Sequence, residues 1–536
     1  MESCTVGSKK ISKKNQILIS IFLIAILVLS SGSMVAFASG GHTIVVKPSG
    51  TDDTAAIQAA LNKCTGSSQW CTVQLVKGTY TISSQITVYG FQGSFVGAGQ
   101  GQTNIVALGD MPSPNPAYNI PCAGYPSCTS PTGDPAGGVP FSVGYPGMGP
   151  DGSGSPEGSG NPNPWPALFT FEGGSIAISG MTITDTSPTP TEGWYVAAIE
   201  GGEFTTALIS AIEITGLRAS ATIDHVSIVG AAGDWLGYNM ADGIVFEGTV
   251  LPSTWTNSEA DRIPLTGTMS ITHSVFDDVQ TGPFVTALVD SNIAICDNTL
   301  SSEGVPTGVF YAIAVEEISN TNVLICRNQG TVPNGIAIYA AQSIFTPGLL
   351  PSTITITGNN IKVIGGANAV VLQDAGEYNF GTPVTLSAVI SGNVFQNNYA
   401  GGSGWYYSAI VAITLKSTIA SLNTIAGGGS DGIYINGGPG TISGNRITGA
   451  DNGVWLDEAS GVHVAGNVIT HSVESGINVT SINAPGSSAA IPSSNNFITG
   501  NFVHNSGTYD LYWDGSGTND HWCGNIYTTS NTALSC

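Results

Sequence analysis

Acidic side chains end a five-residue frame that recurs along the chain, and carboxylates at regular spacing are candidates for acid–base chemistry. The frame reads LFTFE, VAAIE, GIVFE, TALVD, AIAVE, GIAIY, AVVLQ, AITLK, GIYIN, GVWLD, GINVT and DLYWD. Its last residues are Glu172, Glu200, Glu247, Asp290, Glu316, Tyr339, Gln373, Lys416, Asn436, Asp457, Thr480 and Asp514. Because the first five are acidic, they are the first place to seek a catalytic pair.

Hydrolysis of a glycosidic bond needs two carboxyl groups, about 5 Å apart for retention or about 6.5 to 9.5 Å apart for inversion. Neighbouring and next-neighbouring copies of the frame supply both spacings if the copies stack. Glu247, Asp290 and Glu316 are therefore the predicted catalytic residues. Two other interpretations remain: the carboxylates bind calcium, which prefers oxygen ligands, or they form a solvated acidic edge. The sequence calls for no cofactor other than this calcium.

The frame itself predicts a β-strand with one buried face, because its second and fourth positions are apolar. Where the copies are closest, about 20 residues separate them, which fits one turn of a solenoid and leaves no room for a helix. Stacked strands lie roughly 4.8 Å apart, so the acidic ends should form a column.

A second repeat predicts the corners of this solenoid. Gly-Asn occurs at Gly358-Asn359, Gly392-Asn393, Gly444-Asn445, Gly466-Asn467 and Gly500-Asn501. Asn tolerates the left-handed backbone that a sharp corner needs, and its amide can bond to the Asn above and below. One coil then runs over residues 432–452: strand GIYI, turn NGGP, strand GTIS, corner, strand RIT and turn GADN.

With three strands in each coil, the chain resembles the pectin-lyase-like superfamily of right-handed parallel β-helices over residues 42–536. The segment TDDTAAIQAAL, followed by VQLVKGTY, is similar to the N-terminus of its pectate-lyase-3-type members. The resemblance implies an all-β, single-stranded parallel β-helix of about twelve coils. A short N-terminal helix, with Asp or Thr at its N-cap, should cover the open end of the solenoid. Hydrolases, lyases, epimerases, phage spikes and adhesins share this fold, so the fold alone does not define the activity.

The N-terminal segment predicts export. Four lysines precede the apolar run Ile17 to Leu29, and Ala36-Phe37-Ala38 resembles a cleavage site, so residues 1–38 read as a signal peptide and 39–536 as the β-helix domain. An uncleaved anchor is the alternative, although a membrane span needs about 20 apolar residues. No other segment is apolar enough, and we expect a secreted protein without membrane contact after cleavage.

Charge limits the choice of partner. The chain carries a formal net charge of −23, so nucleic acid is excluded as a partner. A polyuronate would be repelled as well, unless calcium bridged it to the protein, and a neutral extracellular polysaccharide is favoured. The sequence does not indicate an oligomeric state.

Cysteine spacing predicts disulfides, in agreement with an oxidising compartment. Cys64 with Cys71, Cys122 with Cys128, and Cys523 with Cys536 would close short loops. Cys296 and Cys326 hold the same place in IAICDN and LICRN and should lie one coil apart, either bonded or as stacked free thiols.

Insertions on both sides of the framed strand, the longest a Pro/Gly-rich loop over residues 110–166, should build a cleft with this first parallel sheet as its floor. The third frame position points outward and places aromatic side chains in the last coils. The predicted substrate-binding residues are Trp235, Tyr434, Trp455, Asp457, Lys416 and Tyr512. The other interpretation of the aromatic residues is that they fill an exposed β surface.

These observations predict a secreted polysaccharide-degrading enzyme, most simply a glycoside hydrolase with paired carboxylates. A polysaccharide lyase or epimerase with calcium is an alternative, but such chemistry needs a base and usually a cation, and Lys416 is the one cation of the column. His225, His273, His463, His471 and His504 are expected at or near corners in structural roles. The paired Asp, Gly-His-Gly and Arg-x-Lys set of the superfamily's polygalacturonases is missing, since Asp277-Asp278 stands alone. A noncatalytic glycan-binding or cell-surface β-helix is the third hypothesis.

Overall fold

The fold is that of a computed structural model, which describes most of the unit His42–Cys536. Within residues 42–536 it describes everything except 66–68, 84–85, 108–166, 186–207, 231–239, 248, 251–261, 264, 280, 287, 302–310, 334–335, 343–349, 365–367, 375–384, 399–407, 428–430, 482–490 and 535. The signal peptide and the 110–166 loop therefore lie outside the described residues.

The chain winds through three stacks of parallel strands, which confirms the predicted parallel β-helix. The framed strands form the frame sheet: the first parts of Ile86–Val96, Ala167–Asp185 and Leu208–Val229, then Met240–Glu247, Thr281–Thr286, Tyr311–Glu316, Ile336–Gln342, Asn368–Asp374, Ile410–Ile413, Ile433–Asn436, Asn452–Asp457, Ser475–Thr480 and Tyr509–Trp513.

The second sheet follows the frame sheet in each coil. It contains His42–Val46, Cys71–Leu75, the last part of Ile86–Val96, the middle of Ala167–Asp185 and of Leu208–Val229, Thr266–Thr272, Asn292–Cys296, Asn322–Cys326, Ser352–Thr357, Leu386–Ser391, Ser417–Ser421, Gly440–Ser443, Val462–Ala465, Phe497–Thr499 and His521–Cys523.

The third sheet closes each coil. It contains Gly78–Ile82, Thr103–Ala107, the ends of Ala167–Asp185 and Leu208–Val229, Val275–Asp277, Thr299–Ser301, Gln329–Pro333, Asn360–Ile364, Val394–Asn398, Thr424–Ala426, Arg446–Thr448, Val468–Thr470 and Phe502–His504. Outside the three sheets, Leu288–Val289 pairs in parallel with Ile318–Ser319, and Thr249–Val250 pairs antiparallel with Arg262–Ile263.

Alternation of side chains explains the core. In the coil that begins at Ile433, Ile433 and Ile435 point inward and are 0% and 2% exposed, and Ile442 and Ile447 from the other two sheets meet them. The same inward positions recur in every coil, so like residues stack on like along the whole solenoid. This repetition is what places the outward positions of the frame sheet in straight columns.

The corner between the second and third sheets is as predicted, with one correction. The Asn ladder consists of Asn298, Asn328, Asn359, Asn393, Asn423, Asn445, Asn467, Asn501 and Asn525. In each pair the Nδ2 of one Asn donates to the Oδ1 of the next over 2.9–3.0 Å. The left-handed backbone belongs to the residue before the Asn, such as Gly358 or Gly392. The ladder members from Asn298 to Asn501 are buried, and Asn525 at its end is partly exposed.

The predicted helix, Thr54–Lys63, covers the N-terminal end of the solenoid. Gln58 donates from Nε2 to the carbonyl oxygen of Thr87 and accepts from the Thr87 backbone N–H on Oε1, so it satisfies the exposed edge of the frame sheet as a neighbouring strand would. Asp53 is the N-cap residue, but its carboxylate accepts from the backbone N–H groups of Ser49 and Thr81 rather than capping the helix.

Three of the four predicted disulfides are present: Cys64–Cys71, Cys296–Cys326 and Cys523–Cys536. Cys296 and Cys326 are paired in register on adjacent coils, which confirms the bonded alternative. Cys122 and Cys128 lie outside the described residues. Among the described residues, none of the helical structure has the length and apolar character that crossing a membrane requires.

Candidate functional site

Strand register defines which residues share the column at the ends of the framed strands, called the end column below. It contains Tyr89, Glu172, Thr215, Glu247, Thr286, Glu316, Ala341, Gln373, Ile413, Asn436, Asp457 and Thr480. The predicted alignment of Glu172, Glu247 and Glu316 is confirmed. Glu200 lies outside the described residues, and Thr215 holds the position that was assigned to it.

The predicted alignment of Asp290 is wrong. Thr286 pairs with Glu247, so Asp290 lies four residues beyond the end column. Gly282 and Pro283 mask the alternation of the true strand Thr281–Thr286, whereas Leu288–Val289 imitates it. Asp290 has a left-handed backbone, is exposed, and accepts a hydrogen bond from the Asn320 side chain in the next coil.

Two other residues that were assigned to the end column, Tyr339 and Lys416, also lie outside it. Ala341 rather than Tyr339, and Ile413 rather than Lys416, occupy the end column. Lys416 is exposed and lies three residues past the column, so the column has no cation among its described positions. Trp235, the remaining binding residue expected from a loop, lies outside the described residues.

Glu247 and Glu316 are thus separated by one intervening strand, whose column residue is Thr286. Two strand spacings make their backbone positions about 9.6 Å apart. The Thr286 hydroxyl donates to Oε2 of Glu317 over 2.6 Å, and this second glutamate has a left-handed backbone and is 4% exposed. Glu317 was missed by the sequence reasoning, and the adjacent pair Glu316-Glu317 at the end of a framed strand was the available signal.

Two stacked tyrosines stand beside Glu316. The rings of Tyr311 and Tyr339 lie 4.4 Å apart with an 18° interplanar angle. Burial, and secondarily the charge of Glu316, raises the pKa of both phenols above the usual range. Both phenols therefore stay protonated at neutral pH and do not act as bases there.

The outward row of the frame sheet is more apolar than expected. Val245, Phe284 and Ala314 are consecutive in this row and are 0–4% exposed, with Tyr311 packed against them. This apolar floor lies next to Glu247 and Glu316 on the same strands. A polar group placed there would be largely removed from water.

The aromatic row in the last coils is confirmed in its register: Tyr434 pairs with Trp455, Trp455 with Asn478, and Asn478 with Tyr512. Tyr434 is only 3% exposed, however, so it is not an open platform. Its hydroxyl donates to Oδ2 of Asp457 over 2.8 Å, and burial, then the Asp457 charge, raises the pKa of the phenol.

Trp455 and Tyr512 are the partly exposed aromatic members of this row. Trp455 meets Tyr434 edge to face at 5.1 Å and donates from Nε1 to the Thr480 hydroxyl over 2.8 Å. Asp457 is buried, at 4% exposure, and its carboxylate accepts the hydrogen bond from Tyr434, so it is not exposed to a ligand. Of the predicted binding residues, Trp455 and Tyr512 remain the described candidates for sugar contact.

Asp431 shows how a buried acid can be structural. It is 1% exposed, and its Oδ1 accepts from both the backbone N–H and the Nδ2 of Asn452, each at 2.9 Å. Burial raises the pKa of Asp431 to about 7, although the Asn452 hydrogen bonds act against that rise.

The histidines also lie where the sequence suggested. His225, His273 and His471 have left-handed backbones at corners, and His504 ends a third-sheet strand. His463 lies within a second-sheet strand and stacks on Phe497 at 4.8 Å.

Comparison with known proteins agrees with the architecture. Residues 349–536 match the protein family described as "Right handed beta helix region". The chain has the right-handed β-helix fold. No curated protein matches its sequence.

Similar solved structures include the A-module of the Azotobacter vinelandii mannuronan C-5 epimerase AlgE4, at 13% identity and a TM-score of 0.35, covering 93% of this chain and 98% of that one. A GH87 α-1,3-glucanase from Streptomyces thermodiastaticus strain HF3-3 has 12% identity and a TM-score of 0.40 over 92% and 70% of the two chains. PfbA, a surface adhesin of Streptococcus pneumoniae, has 12% identity and a TM-score of 0.39 over 80% and 91%. TM-scores this low carry no conclusion about activity.

Proposed function

We propose that the protein is a secreted glycoside hydrolase that acts on a neutral polysaccharide, with Glu247 and Glu316 as its two carboxylates. The observation that supports this most strongly is their register in the end column, two strands apart with Thr286 on the strand between them. A backbone separation of about 9.6 Å is near the upper end of the carboxyl spacing used for inversion. Asp290 is not part of the proposed pair.

In this mechanism one carboxylic acid protonates the glycosidic oxygen and the other carboxylate activates a water on the opposite face of the sugar. Thr286 lies between them, where the water and the scissile bond would have to fit. The apolar row of Val245, Phe284 and Ala314 would lower the local dielectric and strengthen both interactions. Trp455 and Tyr512 would stack on sugar rings farther along the same face.

A hydrolase is favoured over a lyase or epimerase by two observations. Lys416, the expected cation, lies off the end column, and the Tyr311 and Tyr339 phenols are held in their protonated form. The chain's net charge of −23 also opposes binding of a polyuronate.

The test is a polysaccharide panel assayed for new reducing ends and for the absorbance of unsaturated products, with and without calcium. Glu247→Gln and Glu316→Gln should each lower turnover at least a thousandfold, on the order expected when an acid or base is removed, while the melting temperature stays near the parent value. Asp290→Asn is the matched control and should retain parental turnover.

Trp455→Ala should weaken binding of long substrates while turnover of short ones is kept. Unsaturated products would refute hydrolysis, and full activity in both glutamate variants would refute the assigned pair. Binding without any cleavage across the panel would favour a noncatalytic glycan-binding protein instead.

A further inference from the structure

Two stacked histidines mark one corner between the second and third sheets. Thr272 pairs with Asp224, so the next residues, His273 and His225, lie on adjacent coils. Both have left-handed backbones, with φ of 48° and 53°, at the corner position where a later coil has Gly358. The left-handed backbone is a feature of this corner in general, because Asp297, Arg327 and Leu422 share it in later coils.

The three side chains converge at the surface. Nδ1 of His225 lies 2.8 Å from Oδ2 of Asp224, and Nδ1 of His273 lies 2.8 Å from Oδ1 of the same carboxylate. The imidazoles stack at 4.9 Å with a 24° interplanar angle. The candidate ligand atoms all lie within 4.8 Å of one another, and the side chains of His225, His273 and Asp224 are 57%, 54% and 39% exposed.

Two imidazole nitrogens and one carboxylate form a donor set typical of zinc and related transition metals, whereas calcium prefers oxygen ligands alone. Ligands about 2.0–2.2 Å from a tetrahedral ion lie roughly 3.3 Å from each other. The present 2.8 Å separations between nitrogen and oxygen therefore need to open by only a few tenths of an ångström. The ion would take the place of the hydrogens that now join His225 and His273 to Asp224.

We propose that Asp224, His225 and His273 bind a divalent transition-metal ion, with zinc as the representative, and that this ion links two adjacent coils of the solenoid. Exposure of the three side chains leaves a fourth position for water. The site is separate from the frame sheet and its role is to stabilise the fold.

Neighbouring contacts fit this role. The Thr272 hydroxyl donates to Oδ1 of Asp224 over 2.8 Å and so orients the carboxylate, as outer-shell partners of metal sites do. Along the same corner, Arg327 binds Asp297 through Nε and Nη2, each at 2.7 Å, and the disulfide Cys296–Cys326 joins the next two coils. The metal would extend this series of links to residues 224 and 273, which are 49 positions apart in sequence.

The experiment uses the purified chain after removal of metals with a chelator. Zinc is titrated by calorimetry, calcium is titrated in parallel, and cobalt is added to record visible absorption bands of a tetrahedral site. We expect one zinc per chain and a higher melting temperature with zinc but not with calcium. His273→Gln and His225→Gln should remove saturable binding, and Thr272→Val should weaken it about tenfold.

His471→Gln is the matched control, because His471 also has a left-handed backbone, at 57°, and is exposed, but lies outside the cluster. It should leave zinc affinity unchanged. Three results would overturn the proposal: no saturable zinc binding by the parent, binding that survives loss of both histidines, or an equal loss in the His471 variant. Each would show that the three side chains are joined by hydrogen bonds and do not bind a metal. If the ligand variants fail to fold, the cobalt spectrum of the parent and the affinity of Thr272→Val decide the question.

Discussion

Replacing one member of the Asn ladder should destabilise the solenoid far more than replacing an exposed Asn. Asn423→Ala is the sharpest case, because Asn423 is 1% exposed and lies in the middle of the ladder. Its Oδ1 accepts from the backbone N–H and the Nδ2 of Asn393 at 3.0 and 2.9 Å. Its Nδ2 donates to the carbonyl of Ile390 and to Oδ1 of Asn445 at 2.9 and 3.0 Å.

The size of the stability loss depends on which hydrogen bonds the neighbouring groups retain in Asn423→Ala. Asn393 Nδ2 still donates to the carbonyl of Ile356, and Asn445 Oδ1 still accepts from the Asn423 backbone N–H. The Asn393 backbone N–H loses its acceptor in the ladder, and the Ile390 carbonyl loses a donor. At about 1–3 kcal/mol for each uncompensated buried group, the free energy of unfolding should fall by roughly 4 kcal/mol.

Guanidinium unfolding followed by circular dichroism measures this as a lower midpoint at an unchanged m value. Asn322→Ala is the control, because the Nδ2 of Asn322 donates to Asn292 over 3.3 Å between exposed side chains. Its effect should stay within about 0.5 kcal/mol. Equal losses in the two variants, or a loss below about 1 kcal/mol for Asn423→Ala, would refute the view that the buried ladder stabilises the corner.

Two further predictions concern buried polar groups in the frame sheet or in the turn before one of its strands. The pKa of Asp431, raised from 3.8 to about 7, means that the folded state retains a proton which the unfolded chain releases, so stability should fall as pH rises from about 4 to 7. Asp431→Asn should therefore be more stable than the parent above pH 7, by at most about 4 kcal/mol, and thermal unfolding across this range should show the two curves converging at pH 4. Tyr434→Phe deprives the buried Asp457 carboxylate of a 2.8 Å hydrogen bond, so the free energy of unfolding should drop by about 1.5–3 kcal/mol; a melting temperature equal to that of the parent would contradict the importance of that bond.

The architecture could be predicted from the sequence because every coil repeats the same local signals. Alternation in Ile433–Asn436 and the Gly-Asn pair at Asn445 can each be recognised within a few residues, and stacking then follows from the short repeat. The sequence did not show that the left-handed backbone belongs to the glycine rather than to the Asn. The Cys296–Cys326 bond was predictable for the same reason, since both cysteines occupy one place in consecutive coils.

The register was less predictable wherever alternation continued past the end of a framed strand. Ile336–Gln342 is seven residues long, so frames ending at Tyr339 and at Ala341 fit it equally well. Pro283 masked the true strand before Asp290. The burial of outward side chains could not be predicted either, because it depends on what covers the sheet. The frame places Tyr434 on the outward face, but the side chain is buried.

The Asn ladder has a consequence for how the length of a coil can change. Its side-chain bonds stay within 2.9–3.0 Å although the sequence separation between successive members varies from 22 to 34 residues. The corner is thus insensitive to the number of residues that a coil spends elsewhere. About a dozen residues can be added at the other turns without disturbing the corner. Surface loops of different length can therefore be inserted or exchanged while the Asn ladder keeps one geometry.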